Sequence, residues 1–385
     1  MSRPFPRIIS GYIMIAMLDQ KSQKYLEIYE SRKFESCSVF LTGDSEPINN
    51  RYFLNKLSYI LEAEQVNEDY YSLGGGVKDL EDYMASFLGK ESAVYFPTGT
   101  MANHIAIRKL CGISKRAITQ EQSHIYQDSG DAVQNLSGIN LIPLGNNAPF
   151  FTADEFQQAI KDSLSGRVVT KVGMVSIENP VRRCHGQQFP YEEMKKISEI
   201  CQSEGIGTHL DGARLPMMAE ISGINVTEYA ELFDTVYVSL WKYFGAPFGA
   251  ILAGTEEFCK GLFHERRMFG GSLPSASLAA ALAMDGVKDF QGFFKESLDR
   301  SRELFKFIDL IDGIDVLPYE NGTNQFKVLI NESISAIDLK LSLANSDIFV
   351  STETLLEQDF DITINTTLLR QPLSKIQSSL ERSLA

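Results

Sequence analysis

Residues 207–215 read Gly-Thr-His-Leu-Asp-Gly-Ala-Arg-Leu, and residues 235–247 read Thr-Val-Tyr-Val-Ser-Leu-Trp-Lys-Tyr-Phe-Gly-Ala-Pro. Apolar residues recur at helical spacing across 194–203 and stop near Gly205, so residues 207–210 are expected to form a short buried strand that delivers Asp211 at its carboxyl end. Residues 235–240 are β-branched and aromatic, the pattern of a second strand, and that strand delivers Lys242. One helix-sized segment separates the two. A carboxylate and an amine are thus expected at the carboxyl ends of neighbouring strands, where open α/β sheets build their ligand crevices.

Taken singly, an Asp-x-x-Arg is most often a surface ion pair and a lysine a solvated side chain. Lys242 differs because it stands between Trp241 and Tyr243 after an apolar strand, where desolvation lowers a lysine pKa toward a reactive neutral amine. An amine that can form a Schiff base, and a carboxylate that can keep a ring nitrogen protonated, are the two groups that pyridoxal 5'-phosphate (PLP) chemistry needs from a protein.

His-Leu-Asp-Gly-Ala-Arg-Leu at 209–215, and Lys242 with Gly245-Ala246-Pro247, resemble the signature and the Schiff-base lysine segment of the threonine aldolase and aromatic amino acid β-eliminating lyase family, PLP enzymes of fold type I. The resemblance implies an α/β fold with a large PLP-binding domain, built on a mixed and mostly parallel sheet, and a small α/β C-terminal domain. The expected division is an N-terminal segment 1–60, a large domain 61–285 and a small domain 286–385. It implies that Asp211, Ser239 and Lys242 hold the cofactor, and that Arg214 points toward the substrate carboxylate or the cofactor phosphate.

The remaining landmarks occur in the family's order. Residues 91–97 are strand-like, and Thr98-Gly99-Thr100-Met101-Ala102-Asn103 opens a helix that runs to about residue 110. A helix start presents unpaired N–H groups and a partial positive charge, and a glycine there lets the backbone approach a phosphate. Alone this is an ordinary Thr N-cap; its resemblance to the family's phosphate cup makes Thr98, Gly99 and Thr100 the phosphate binders. Ser123-His124-Ile125 resembles the segment whose histidine stacks on the cofactor ring, which makes His124 the third catalytic candidate beside Lys242 and Asp211. Glu178-Asn179 matches the family's Glu-Asn in the run 172–180, which reads as a core strand ending in polar residues.

Other positions depart from the family. Pro180-Val181-Arg182-Arg183-Cys184-His185 replaces the usual Thr-His-Asn, and the two arginines either clamp a substrate carboxylate or lie in a solvated loop. Pro274 stands where many members carry a phosphate-binding arginine, with Arg266 and Arg267 the nearest cations, and Thr363 stands where the family carries an arginine for the substrate carboxylate. Ser38 is the candidate for a serine near that carboxylate.

The three consecutive glycines 74–76 lack the preceding strand that a dinucleotide loop requires, and they are expected to precede a helix over 77–88. Helices are further expected over 20–32, 52–65, 258–268, 277–308, 337–344 and 373–384.

Composition excludes some classes of partner. The chain has 385 residues, 44% of them hydrophobic, enough for a large core, and a formal charge of −14 argues against nucleic acid or an anionic membrane. The five cysteines have no metal-ligand spacing and their odd number argues against a disulfide framework, so a reducing cytoplasm and no metal are expected. Residues 1–18 imitate a signal peptide only faintly, because Gly11 and Tyr12 interrupt the apolar run and no small-residue cleavage site follows.

The leading expectation is an aldehyde-lyase that cleaves a β-hydroxy-α-amino acid such as threonine to glycine and an aldehyde, with a small amino acid as its partner and a homodimer or homotetramer as its assembly. A PLP-dependent β-eliminating lyase acting on another amino acid, and a PLP-fold binding protein without turnover, are the alternatives.

Overall fold

The computed structural model describes residues 18–63 and 66–384. The leader-like residues 1–17, and Gln65 at the end of one expected helix, lie outside the described residues. The chain divides into two compact units: Ile48–Lys295 with Tyr319–Asn324 form the larger, and the chain through Pro47, Glu296–Pro318 and Gln325–Ala385 form the smaller.

The larger unit is built on a seven-stranded sheet. Its strands are β1 (Ser92–Phe96), β2 (Arg116–Gln120), β3 (Asn140–Leu144), β4 (Val172–Glu178), β5 (Gly207–Asp211), β6 (Thr235–Ser239) and β7 (Ala250–Gly254). Their spatial order is β3-β2-β4-β5-β6-β7-β1. From β3 to β6 the neighbours are parallel, and β7 runs antiparallel to both β6 and β1. Every residue of β6 and β7 is buried, as expected for strands covered on both faces, and this is why they read as unbroken apolar runs rather than alternating ones.

Two helices of this unit bear on the site. Helix α1 (Gly75–Leu88) carries the glycine run at its start, and helix α2 (Gly99–Cys111) begins directly after β1. One face of α2 packs Ala102, Ile105 and Ala106 against Phe96, Tyr237 and Leu252, and another packs Ile107 and Cys111 against Ala117 and Met174.

The smaller unit holds an antiparallel sheet of β8 (Ile314–Pro318), β9 (Gln325–Ile330) and β10 (Phe360–Thr363), with β9 central, and a two-residue parallel pairing of Val39–Phe40 with Ile348–Phe349. Helices Gln20–Arg32, Ala336–Asn345 and Leu373–Leu384 belong to it. Lys340 is fully buried there. Its ammonium donates to the carbonyls of Thr354, Leu355 and Glu357 at 2.8, 3.2 and 2.7 Å and lies 4.4 Å from the Phe360 ring centroid. Burial pushes its pKa down to about 8.

Two expected elements are corrected. The single helix between β5 and β6 is two, Leu215–Ser222 and Val226–Glu231. Gly223 adopts φ 72° and closes the first by donating to Ala219 O at 3.0 Å, and Glu228 accepts from Asn225 N at 3.2 Å to begin the second. The helix expected over 258–268 breaks into Glu256–Cys259 and Leu262–Met268 at Gly261, whose φ is 82°.

The helix Ser277–Ile308 matches its expected bounds, and its start is held by one carboxylate. Asp69 Oδ1 accepts from Ala276 N and Ser277 N, both at 2.8 Å, and from Ser275 Oγ at 3.0 Å, while Oδ2 accepts from Ser72 N at 2.8 Å. Burial pushes this carboxyl up, but the four donors more than offset it, so it stays below the ordinary aspartate value. The stability it contributes is therefore present above the unfolded-state pKa and lost as pH falls through the lower folded value. Asp69→Ala is expected to cost about 2 kcal/mol at pH 7, read as a lower urea midpoint, and the deficit should shrink in acid.

Candidate active site

Parallel pairing of β5 with β6 puts Asp211 beside Tyr237 at the carboxyl end of the sheet. Ser239 N donates to Ala213 O at 3.4 Å, so the loops leaving the two strands start together, and Leu240 N donates to Gly249 O at 3.1 Å to close the loop that bears Lys242. Lys242 is half-buried, with its ammonium 5.2 Å from the Trp241 ring centroid. Trp241 itself keeps 45% of its surface, so it flanks the lysine from the solvent side.

Helix α2 completes the arrangement. Thr98 caps it, its hydroxyl accepting from Met101 N at 3.3 Å, and its carbonyl takes Ala102 N at 3.2 Å. The N–H groups of Gly99 and Thr100 have no acceptor inside the helix, as at any helix start. Gly99 is obligatory here: a Cβ would stand 1.9 Å from the Tyr237 hydroxyl. The helix start is thereby pressed onto β6, and the residue one turn further on, Asn103, reaches β5.

Asn103 was not among the candidates drawn from the sequence, and it is the residue that holds Asp211. Its Nδ2 donates to Asp211 Oδ2 at 2.5 Å, and Ala213 N donates to Oδ1 at 3.2 Å. Asn103 Oδ1 lies 2.9 Å from His209 Nε2, and His209 Nδ1 lies 2.8 Å from Thr235 Oγ1. An ionised Asp211 can only accept, so Asn103 must turn its NH2 toward it and its carbonyl toward His209. His209 then donates from Nε2, and in a neutral ring its Nδ1 accepts the Thr235 hydroxyl. Burial pushes His209 down to about 4, consistent with that neutrality. The one-turn spacing of Gly99 and Asn103 on the phosphate-cup helix was the available sequence clue.

A second buried carboxylate lies beside the first. Glu178 ends β4, paired with Asp211 at the end of β5. Its backbone is pinned by Gln120, which accepts from Glu178 N at 2.9 Å and donates to its carbonyl at 2.7 Å. Its Oε2 accepts from His124 N at 2.5 Å and its Oε1 from Arg182 N at 3.0 Å. Burial pushes its pKa up to about 7, Asp211 adds to this, and the two backbone N–H groups and Arg214 oppose it. The His124 ring is half-buried, and its Nδ1 is buried without a hydrogen-bond partner.

The other candidates have different placements. Arg214 is half-buried and leads directly into the helix Leu215–Ser222. Ser239 is buried at the end of β6. Arg182 and Arg183 both pair with Asp128, Arg183 at 3.2 Å. Ser38 lies in the smaller unit, fully buried, with its hydroxyl donated to Arg32 O at 2.7 Å. Arg266 is fully buried and donates to the carbonyls of Tyr95, Tyr71 and Ser72, the last at 3.0 Å. Arg267 stacks on Tyr71 with its guanidinium 5.0 Å from the ring centroid. Thr363 pairs with Gln325 in the small sheet, and the nearby Arg370 pairs with Glu46. Among the described residues no His, Cys, Asp and Glu cluster could hold a metal ion, and no helix is long and apolar enough to cross a membrane.

This strand order, with an aspartate and a lysine delivered by adjacent strands and a glycine-bearing helix start above them, defines the PLP-dependent enzymes of fold type I. A sequence profile of the β-eliminating lyase family matches residues 58–331, and the chain belongs to that family. It is 28% identical to a low-specificity L-threonine aldolase of Saccharomyces cerevisiae over 80% of this chain and 79% of that one. It is 30% identical to a low-specificity L-threonine aldolase of Candida albicans, where the match spans 54% of this chain and only 56% of the relative's length. Among solved structures, a Listeria monocytogenes protein assigned as an L-allo-threonine aldolase superimposes with a TM-score of 0.75 at 27% identity, over 94% of this chain and 99% of that one.

The cofactor of this enzyme is PLP, and the residues present fit it. The fit rests on a dry carboxylate for a ring nitrogen at Asp211, a buried ring atom without a partner at His124 Nδ1, and a helix start where only glycine is accommodated.

The neutral His209 makes the site acid-sensitive. Its folded pKa lies below the ordinary histidine value, so the unfolded chain takes up the proton first, and stability held above about pH 6.5 falls as pH approaches 4. The loss is expected to be on the order of 3 kcal/mol across that window, measured by chemical denaturation at stepped pH. His209→Gln should flatten that slope.

Proposed function

We propose that the protein cleaves a β-hydroxy-α-amino acid of the threonine type to glycine and an aldehyde. The observation that carries this reading is the buried, unpartnered Nδ1 of His124, tied through its own backbone to Glu178. Aldol cleavage needs a group that accepts the proton of the β-hydroxyl, and an imidazole nitrogen without a competing partner is suited to it. The names of the yeast relatives point the same way.

When bound, PLP supplies the electron sink that stabilises negative charge at Cα after the Cα–Cβ bond breaks. Lys242 would hold the cofactor through its amine. Asp211, oriented by Asn103 and Ala213 N, would pair with the ring nitrogen. Thr98, Gly99 and Thr100 would hold the phosphate at the start of α2, and Ser239 would support it from β6. His124 would lie against the ring and take the hydroxyl proton, directly or through one water. Arg214 would hold the substrate carboxylate, and Glu178 would set the position of His124 and of the turn at 182–184.

The domain division 61–285 and 286–385, with 1–60 ahead of it, is part of the same proposal. A homodimer or homotetramer is supported by the resemblance, and a reducing cytoplasm by five cysteines without a disulfide. Ser38 as a substrate ligand has the weakest support, since its hydroxyl already serves Arg32 O.

Replacing Lys242 tests the reading directly. Lys242→Ala should abolish the cofactor absorbance that survives gel filtration of the wild-type protein and lower acetaldehyde release from L-threonine by about a thousandfold or more. Release of ammonia and a keto acid in place of acetaldehyde would instead establish β-elimination.

A further inference from the structure

Two arginines that follow one another in the sequence converge on a single carboxylate. Asp128 receives Arg182 Nη2 at one oxygen and Arg183 Nη1 at the other, and Arg183 Nε also donates to Gln122 Oε1 at 3.2 Å. A guanidinium has five N–H donors, so most of those on the pair are not committed to these partners. The arginine side chains keep 39% and 32% of their surface, whereas Asp128 keeps 15%. Two positive charges against one negative leave a partly exposed seat with net positive charge and donors to spare.

The seat is tied to the candidate active site by the backbone. Arg182 N donates to the same Glu178 carboxylate that takes His124 N, and Asp128 N donates to His124 O at 2.8 Å. The two guanidiniums therefore lie against segment 122–128, which presents the His124 ring. Arg214, three residues after Asp211, is the inner cation, close enough to Glu178 to favour its ionised form. An amino acid with one carboxylate needs one such cation. A second cationic seat, tied through Glu178 and Asp128 to the backbone of the histidine that takes the β-hydroxyl proton in the proposed reaction, suits a second anion on the substrate.

We propose that Arg182 and Arg183 determine side-chain specificity, and that the preferred substrates are β-hydroxy-α-amino acids whose side chain ends in a carboxylate, of the β-hydroxyaspartate type. The reaction step rests on the aldolase reading; the recognition step does not. Cleavage breaks Cα–Cβ, releases the hydroxyl proton as the new carbonyl forms and returns one proton to Cα. The products are glycine and glyoxylate, with no oxidant or reductant. The side-chain carboxylate shares the guanidiniums with Asp128 by using donors that Asp128 leaves.

Binding can be read without turnover by titrating the PLP-loaded protein with L-aspartate and with L-2-aminobutyrate, neither of which has a β-hydroxyl, and following cofactor absorbance. Aspartate should bind roughly tenfold or more tighter. Arg182→Ala and Arg183→Ala should each bring the affinity ratio within about threefold of unity, and Asp128→Asn should raise it severalfold by removing the competing carboxylate. Arg183→Gln replaces the alanine variant if that one does not fold. Glycine release from β-hydroxyaspartate and from threonine should follow the same ratios. A wild-type ratio near one, or arginine variants that weaken both ligands equally, overturns the proposal. If discrimination follows the arginines while neither hydroxy acid releases glycine, the aldolase reading fails and this inference stands.

Discussion

A carboxylate removed from water costs several kcal/mol unless donors replace the lost hydration. Asp211, 4% exposed, meets this constraint with Asn103 and the Ala213 N–H, and most of the site's geometry derives from that requirement. Asn103 works in only one orientation, which Asp211 imposes, and its carbonyl in turn calls for a proton on Nε2 of His209, with Thr235 at the other ring nitrogen. The four side chains come from α2, β5 and β6, so the chain of contacts exists only while those elements keep their register. A half-satisfied network of this kind would be worse than an apolar core, which is why the neutral state of His209 matters to stability as well as to the site.

Glu178 extends the same logic. A second carboxylate next to Asp211 is driven toward the protonated form by burial and by its neighbour, and it is held by N–H groups from two separate segments. Those two bonds fix where the His124 ring and the 182–184 turn stand relative to the strand ends. The loop side chains therefore inherit the rigidity of the sheet, although none of them lies on a strand.

Much of the fold was legible in the sequence because its strongest elements are periodic and long, or apolar throughout. The helices Gln20–Arg32, Ser277–Ile308 and Leu373–Leu384 have the expected bounds, and β4, β5 and β6 end within about two residues of theirs. The errors fall at glycines. Gly223 takes a left-handed conformation that ends one helix and Gly261 one that begins another, whereas hydrophobic spacing continues across them as if nothing had happened. Partners of individual polar groups were not legible. The convergence of Arg182 and Arg183 on Asp128, and of Arg266 on three carbonyls, depends on segments far apart in sequence.

The sequence by itself determined the family and the cofactor, through the likeness of residues 209–215 and of Lys242 with 245–247 to the family's motifs, and the strands that carry Asp211 and Lys242, because strands covered on both faces read as short apolar runs. Tertiary structure alone decided that Asn103 and His209 hold Asp211, that Glu178 anchors His124, and that two loop arginines form one seat. Hydrogen bonds over a few ångströms pair residues separated by up to about a hundred positions, and no local pattern encodes which donor meets which acceptor.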